Sequence, residues 1–199
     1  MIAFAASALA GAASAQDPNT EARALQVIGT DAHARQCGLL VGQGDVSDRT
    51  VEMCSRALRY PRITREAQIQ VLINRGVTYM RRQENAPALA DFDAVIALDR
   101  RNGEAFLNRG AALVQMGQPG PAVAAITEAL GLGVSEPHKA YFNRGAARER
   151  LGDLRGAYED YNTALEIQPD WGPANAELAR FARSRREHLA NVLNEPASN

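Results

Sequence analysis

Large and small side chains alternate in a fixed order three times along this chain. Leu72, Gly76, Tyr79, Ala88, Phe92 and Val95 form the first set. Phe106, Gly110, Leu113, Ala122, Ile126 and Ala129 repeat it, and Tyr141, Gly145, Arg148, Ala157, Tyr161 and Ala164 repeat it again. Each glycine closes an Asn-Arg-Gly triplet, and the glycines Gly76, Gly110 and Gly145 lie 34 and then 35 residues apart. Within each set the steps of three and four residues follow the helical period. Gly117 and Gly152 fall where the chain must turn, and Pro87 and Pro121 fall where a second helix begins. The pattern therefore predicts two antiparallel helices per period, A and B. The glycine and the first alanine let their backbones approach, and a large residue fills the space beside them. Each pair leaves one apolar face open, which the next pair must cover.

The same frame extends in both directions. Upstream, Asp48–Leu58 reads as a helix with Val51, Cys54, Ala57 and Leu58 on one face, preceded by a poorer helix interrupted by Gly42 and Gly44. The connection from Arg59 to Arg65, carrying Tyr60-Pro61, is longer than the later ones. Downstream, Trp171-Gly172-Pro173 opens a last helix over about Ala174–Val192. Ala176, Leu178, Phe181, Ala182 and Leu189 give it an apolar side, while Arg180, Arg183, Arg185, Arg186 and Glu187 make the rest polar. Such a helix caps a stack, one face on the last pair and the other in water.

A period near 34 residues with this size pattern resembles the tetratricopeptide repeat (TPR). The likeness covers about 69–171. It implies an all-α fold, a right-handed superhelix of stacked helix pairs. The expected organisation is a signal peptide over 1–15, a linker over 16–30 and a degenerate repeat over 31–65. Repeats then occupy 69–102, 103–137 and 138–171, followed by a capping helix over 172–193 and a tail over 194–199. With the glycine numbered position eight, Arg148 stands at position eleven, where an aromatic is usual, and Arg100 and Val134 replace the terminal proline that Pro169 supplies in the last repeat.

The chain has 199 residues with 22 basic and 23 acidic side chains and no basic stripe with interleaved aromatics, so no nucleic-acid partner is expected. The segment from Ile2 to Ala13 is uncharged and too short to span a bilayer, and it leads to Ala13-Ser14-Ala15 before Gln16. It reads as a signal peptide cleaved after Ala15, against the alternative of an Ala-rich terminal helix. Export implies a periplasmic or secreted protein whose mature chain does not insert in a membrane. It also favours a disulfide between Cys37 and Cys54, the only cysteines. In the repeat frame they face each other at positions seven and twenty-four, and a bridge closing roughly 16 residues contributes on the order of 3 kcal/mol. In a reducing compartment the same residues would read as buried thiols.

No catalytic set appears. His33, His138 and His188 are too far apart in the repeat frame to converge, and Glu128, Glu149, Glu159 and Glu166 fall on exposed helical positions. No metal or cofactor is expected, and the chain reads as a non-catalytic scaffold. Arg75, Arg109 and Arg144 occupy position seven, usually leucine, and need acceptors. Asp91 and Asp160, at position twenty-three, suit Arg75 and Arg144, but Ala125 stands there in the middle repeat, which directs Arg109 to Asp91.

Asn74, Asn108 and Asn143 occupy position six of each helix A. Helices A line the concave face of such superhelices, so the resemblance implies a row of amides along a groove. An amide can pair with a peptide N–H and C=O together. Ile73, Val77, Leu107, Val114 and Phe142 supply an apolar floor, with Lys139 at the rim. Some co-chaperones of this fold clamp a C-terminal carboxylate with Lys and Asn at positions five and nine, Asn at six of the next repeat, then Lys at two and Arg at six. Here Asn108 and Lys139 match, but Ile73, Val77 and Asn143 do not, which argues against a carboxylate clamp. The expected function is capture of an extended peptide or partner helix in the groove. The alternative is a structural subunit of an envelope complex or homo-oligomer that docks through its convex face or capping helix.

Overall fold

The computed structural model describes residues 32–194. The expected signal peptide, linker and residues 195–199 of the tail lie outside the described residues. Among the described residues nine helices follow one another: α1 Ala32–Gly42, α2 Asp48–Leu58, α3 Arg65–Arg81, α4 Asn85–Leu98, α5 Gly103–Gln115, α6 Pro119–Leu132, α7 Pro137–Arg150, α8 Leu154–Ile167 and α9 Gly172–Asn194. No strand occurs among the described residues.

Consecutive helices pack as pairs, α1 on α2, α3 on α4, α5 on α6 and α7 on α8, with α9 against α8. The odd helices also pack on one another, α1 on α3, α3 on α5 and α5 on α7. No comparable packing links α2, α4, α6 and α8 among the described residues. The row of odd helices is therefore the tighter, concave side of the stack.

Local chemistry explains the element ends. Thr64, Asn102 and Asp153 cap α3, α5 and α8 by accepting hydrogen bonds from the backbone N–H of Ala67, Asn102's third neighbour Ala105, and Gly156 at 3.2, 2.9 and 2.9 Å. The turn inside each repeat needs a left-handed residue at position fifteen: Gly117 has φ 70° and Gly152 φ 81°. In the first repeat Gln83 takes that conformation at φ 63°, a strained site that sequence pattern does not reveal. In the first hairpin Gly42 ends α1, and Gly44, at φ 78°, sits in the turn. The glycines thus terminate the first helix rather than interrupt it. Helix α3 begins at Arg65, four residues before the repeat frame opens at Ile69.

The glycine at position eight faces the large residue at position twenty-four in all three repeats. A β-carbon on Gly76 would stand 2.6 Å from Phe92 Cε1, and one on Gly145 would stand 2.8 Å from Tyr161 Cε1. One on Gly110 would overlap Ile126 Cγ1. Phe92, Ile126 and Tyr161 are buried, each centring an apolar cluster with Ala88, Ala122 or Ala157. Cys37 and Cys54 face each other between α1 and α2, with Cα atoms 4.9 Å apart and sulfurs at bonding distance.

The last helix departs from its expected face. Ala174 is buried and Leu178 and Phe181 are half-buried on the α8 side, whereas Ala176 and Ala182 are exposed. The steps from 174 to 178 to 181 follow one helical stripe, and Ala176 and Ala182 lie off it.

Candidate functional site

The position-seven arginines divide into two kinds. Arg75 donates from Nε and Nη2 to both Asp91 oxygens at 2.9 and 2.6 Å, and its Nη1 reaches Ser55 Oγ on the preceding pair at 2.9 Å. Arg144 grips Asp160 in the same way at 3.0 and 2.7 Å and reaches back to Thr127 Oγ1 at 3.4 Å. Both aspartates are buried, so these are shielded, bidentate pairs. Each guanidinium pKa is raised, chiefly by the hydrogen bond to its carboxylate. Arg148 adds a second contact to Asp160 at 3.0 Å, which accounts for an arginine where an aromatic is usual.

Arg109 does not reach Asp91, contrary to the expectation from sequence. Asp91 is held on both oxygens by Arg75, so Arg109 turns to Asp93 on α4, which accepts from its Nε at 2.7 Å. Asp93 is exposed, and the pair is correspondingly screened. Glu149 also differs from expectation. It is half-buried, accepts from Tyr161 Oη at 3.1 Å and from Arg180 Nη2 at 2.6 Å, and so ties α9 to the third repeat. Burial, followed by the Glu149 carboxylate, pushes the Tyr161 phenol pKa up.

The three asparagines sit on adjacent concave helices, but none lies open. Asn74 is 9% exposed and Asn108 and Asn143 are 0% exposed. The apolar residues expected to floor an open groove are likewise enclosed: Ile73, Val77, Leu107, Val114 and Phe142 belong to the packed clusters between helices. The reason is the direct packing of α3, α5 and α7 on one another, which takes these positions into the interior.

Asn108 is distinctive because neither atom of its amide has a hydrogen-bond partner. It lies on α5 in line with Glu104, Ala111 and Gln115, at helical steps of four, three and four. Glu104 Oε2 and Gln115 Oε1 are also buried without a partner, although Glu104 Oε1 accepts from Ser135 N–H at 2.6 Å. Asn108 stands out in the sequence as one of three repeated asparagines, whereas Glu104 and Gln115 carry no such repeated signal.

The cations of this face are engaged. Lys139 pairs with Glu136 at 2.6 Å. Arg81 donates to the Val41 carbonyl at 3.2 Å, and Arg150 donates to the Val114 carbonyl. Among the described residues no group of three His, Cys, Asp or Glu could hold a metal ion, and no helix is long and apolar enough to cross a membrane.

A stack of helix pairs closed by contacts of a glycine on a large side chain at a 34-residue period is a tetratricopeptide solenoid, and this chain folds as one. The tetratricopeptide-repeat family model matches residues 138–170. RNA polymerase II-associated protein 3 of Xenopus tropicalis is 39% identical over 59 residues, which span 30% of this chain and 9% of that protein. The first TPR domain of Spaghetti (RPAP3), solved with the HSP90 peptide SRMEEVD, superimposes with TM-score 0.56 at 27% identity, over 60% of this chain and 94% of that one. The second TPR domain of human RPAP3, solved with the HSP70 peptide SGPTIEEVD, gives 0.55 at 27% identity over 59% and 97%. MamA gives 0.63 at 20% identity over 75% and 84%, a likeness of fold.

Proposed function

We propose that this protein is an exported, non-catalytic scaffold that binds a peptide segment along its concave face, with α5 at the centre of the site. The observation that carries this reading is Asn108, fully enclosed with an unpaired donor and an unpaired acceptor. A buried polar group left unpaired costs about 1–3 kcal/mol. A peptide backbone supplies a matching C=O and N–H, and because the amide is already dehydrated only the peptide groups lose water when the bonds form. The similar TPR domains of Spaghetti and human RPAP3 hold peptides, which supports the same use here. Because the row is enclosed, binding requires the concave face to open, and affinity is expected near micromolar, about 8 kcal/mol. Export rests on the segment ending at Ala15, and the facing of Cys37 and Cys54 is consistent with a disulfide in an oxidising compartment.

The test is an array of extended decapeptides of varied composition, probed with the parent chain and with Asn108→Leu. Binding by the parent that is lost in the folded variant supports the reading. Equal binding by both removes α5 from the site.

A specific observation favours the docking alternative as well. Leu151, just before α8, and Leu154 and Tyr158, in its first turns, are 53, 55 and 49% exposed, and Tyr158 meets Phe181 of α9 edge-on with ring centroids 6.1 Å apart. This apolar patch lies at the capping end and not in the groove. Under that reading Tyr158→Lys abolishes assembly in sedimentation while Asn108→Leu leaves it intact.

A further inference from the structure

The concave side of α5 is short of donors. Glu104 Oε2, Asn108 Oδ1 and Gln115 Oε1 share one helical stripe, each buried without a partner. They are spread over about 16 Å at 1.5 Å per residue. Among the buried unpaired atoms of this stripe the one donor is Asn108 Nδ2. The cations around them cannot make up the deficit by staying where they are, since Lys139, Arg81 and Arg150 each serve an acceptor within the fold. A ligand that completes this stripe must bring N–H groups, and one of them must face a carboxylate oxygen.

We infer that the site selects a basic, donor-rich peptide, with a lysine or arginine side chain of the ligand against Glu104 and backbone N–H groups against Asn108 and Gln115. This rests on the peptide-binding reading above and names the chemistry of its partner. It is opposite in sign to capture of an acidic terminus. An acidic ligand would bring carboxylates to Glu104 Oε2 and to two amide oxygens, while the cations able to answer them are engaged. Charge-assisted bonds are the stronger kind, so Glu104 sets the preference and the two amides fix the backbone.

The experiment uses the full chain and three fluorescein-labelled decapeptides that share one alternating apolar frame. Their variable positions are all Lys, all Glu or all Gln, and binding is read by anisotropy at low salt. The Lys peptide is expected to bind tighter than the Glu peptide by about 10-fold or more, the scale of one hydrogen bond to a charged group. Glu104→Gln keeps an oxygen for Ser135 N–H but removes the charge, and it is expected to erase most of that ratio while leaving the Gln peptide unchanged. Asn108→Leu should weaken all three alike. Tighter binding of the Glu peptide, or a ratio that survives Glu104→Gln, overturns the inference and leaves the peptide-binding reading standing. Failure of all three peptides to bind overturns both.

Discussion

The middle pair, α5–α6, and the third pair, α7–α8, begin from the same Asn-Arg-Gly triplet and come to different ends. In the third pair Arg144 finds Asp160 in its own repeat, Arg148 joins it, and Tyr161 and Glu149 extend the network to α9. In the middle pair position twenty-three is Ala125, so Arg109 leaves the repeat for an exposed aspartate, and Asn108 keeps both amide atoms unpaired. The third pair is polar and satisfied; the middle pair is polar and wanting. Equivalent positions in a repeat stack thus differ in their partners, which are internal in the third pair and missing in the middle one. Stability and recognition draw on the same groups, and a residue cannot give its full bonding capacity to both.

The largest test of that difference is the pair of aspartates. Asp160→Ala takes the buried carboxylate shared by Arg144 and Arg148 and is expected to cost about 3–5 kcal/mol. Asp93→Ala removes an exposed partner from Arg109 and is expected to cost about 1 kcal/mol or less. Urea unfolding of the two variants checks both values. Equal losses would mean that the arginines are equivalent and that the contrast between the pairs is false.

Gly110 and Asn108 sharpen the comparison inside the middle pair. A methyl group at Gly110 drives into Ile126 Cγ1, near the stiff base of a β-branched side chain, and Gly110→Ala is expected to cost about 1–3 kcal/mol. Gly131 on the adjoining α6 has open space around it, and Gly131→Ala should instead add about 0.5–1 kcal/mol. Asn108→Leu replaces an unpaired amide with an apolar group of similar size. It is expected to leave stability within about 1 kcal/mol of the parent, or above it, while peptide binding falls. A variant that unfolds readily would show that the amide has a structural partner, and the middle pair would no longer differ from the third.

Much of this was legible in the chain. The glycine spacing, the size order and the position of Phe92, Ile126 and Tyr161 against the glycines all follow from steric rules that act within one repeat. What sequence pattern missed depends on neighbouring repeats. The loss of an aspartate at Ala125 was readable, but a long guanidinium can swing to either side, and Asp93 rather than Asp91 received Arg109. The asparagine row was readable as a row. Its enclosure was not, because the separation of α3, α5 and α7 is set by how pairs stack. Glu104 and Gln115 could have been found earlier from their four-, three- and four-residue steps through Asn108 and Ala111 on one helix.

The smallest expected effect concerns how the third pair meets α9. His138 lies edge-on to Trp171, ring centroids 4.9 Å apart. Its pKa is lowered, first by burial and then by Lys139, with Glu136 opposing. The folded state therefore favours the neutral ring. The resulting stabilisation is complete above the unfolded value of about 6.5 and is lost as pH falls through it toward the folded pKa. Trp171 is the only tryptophan, so its emission reports the contact directly. A fluorescence titration should show a transition centred below 6.5 that disappears in His138→Gln, while Asn108→Leu leaves it in place. Persistence of the transition in His138→Gln would assign it to another group. Its loss in Asn108→Leu would mean that the middle and third pairs respond as one unit, and the division of roles between them would fail.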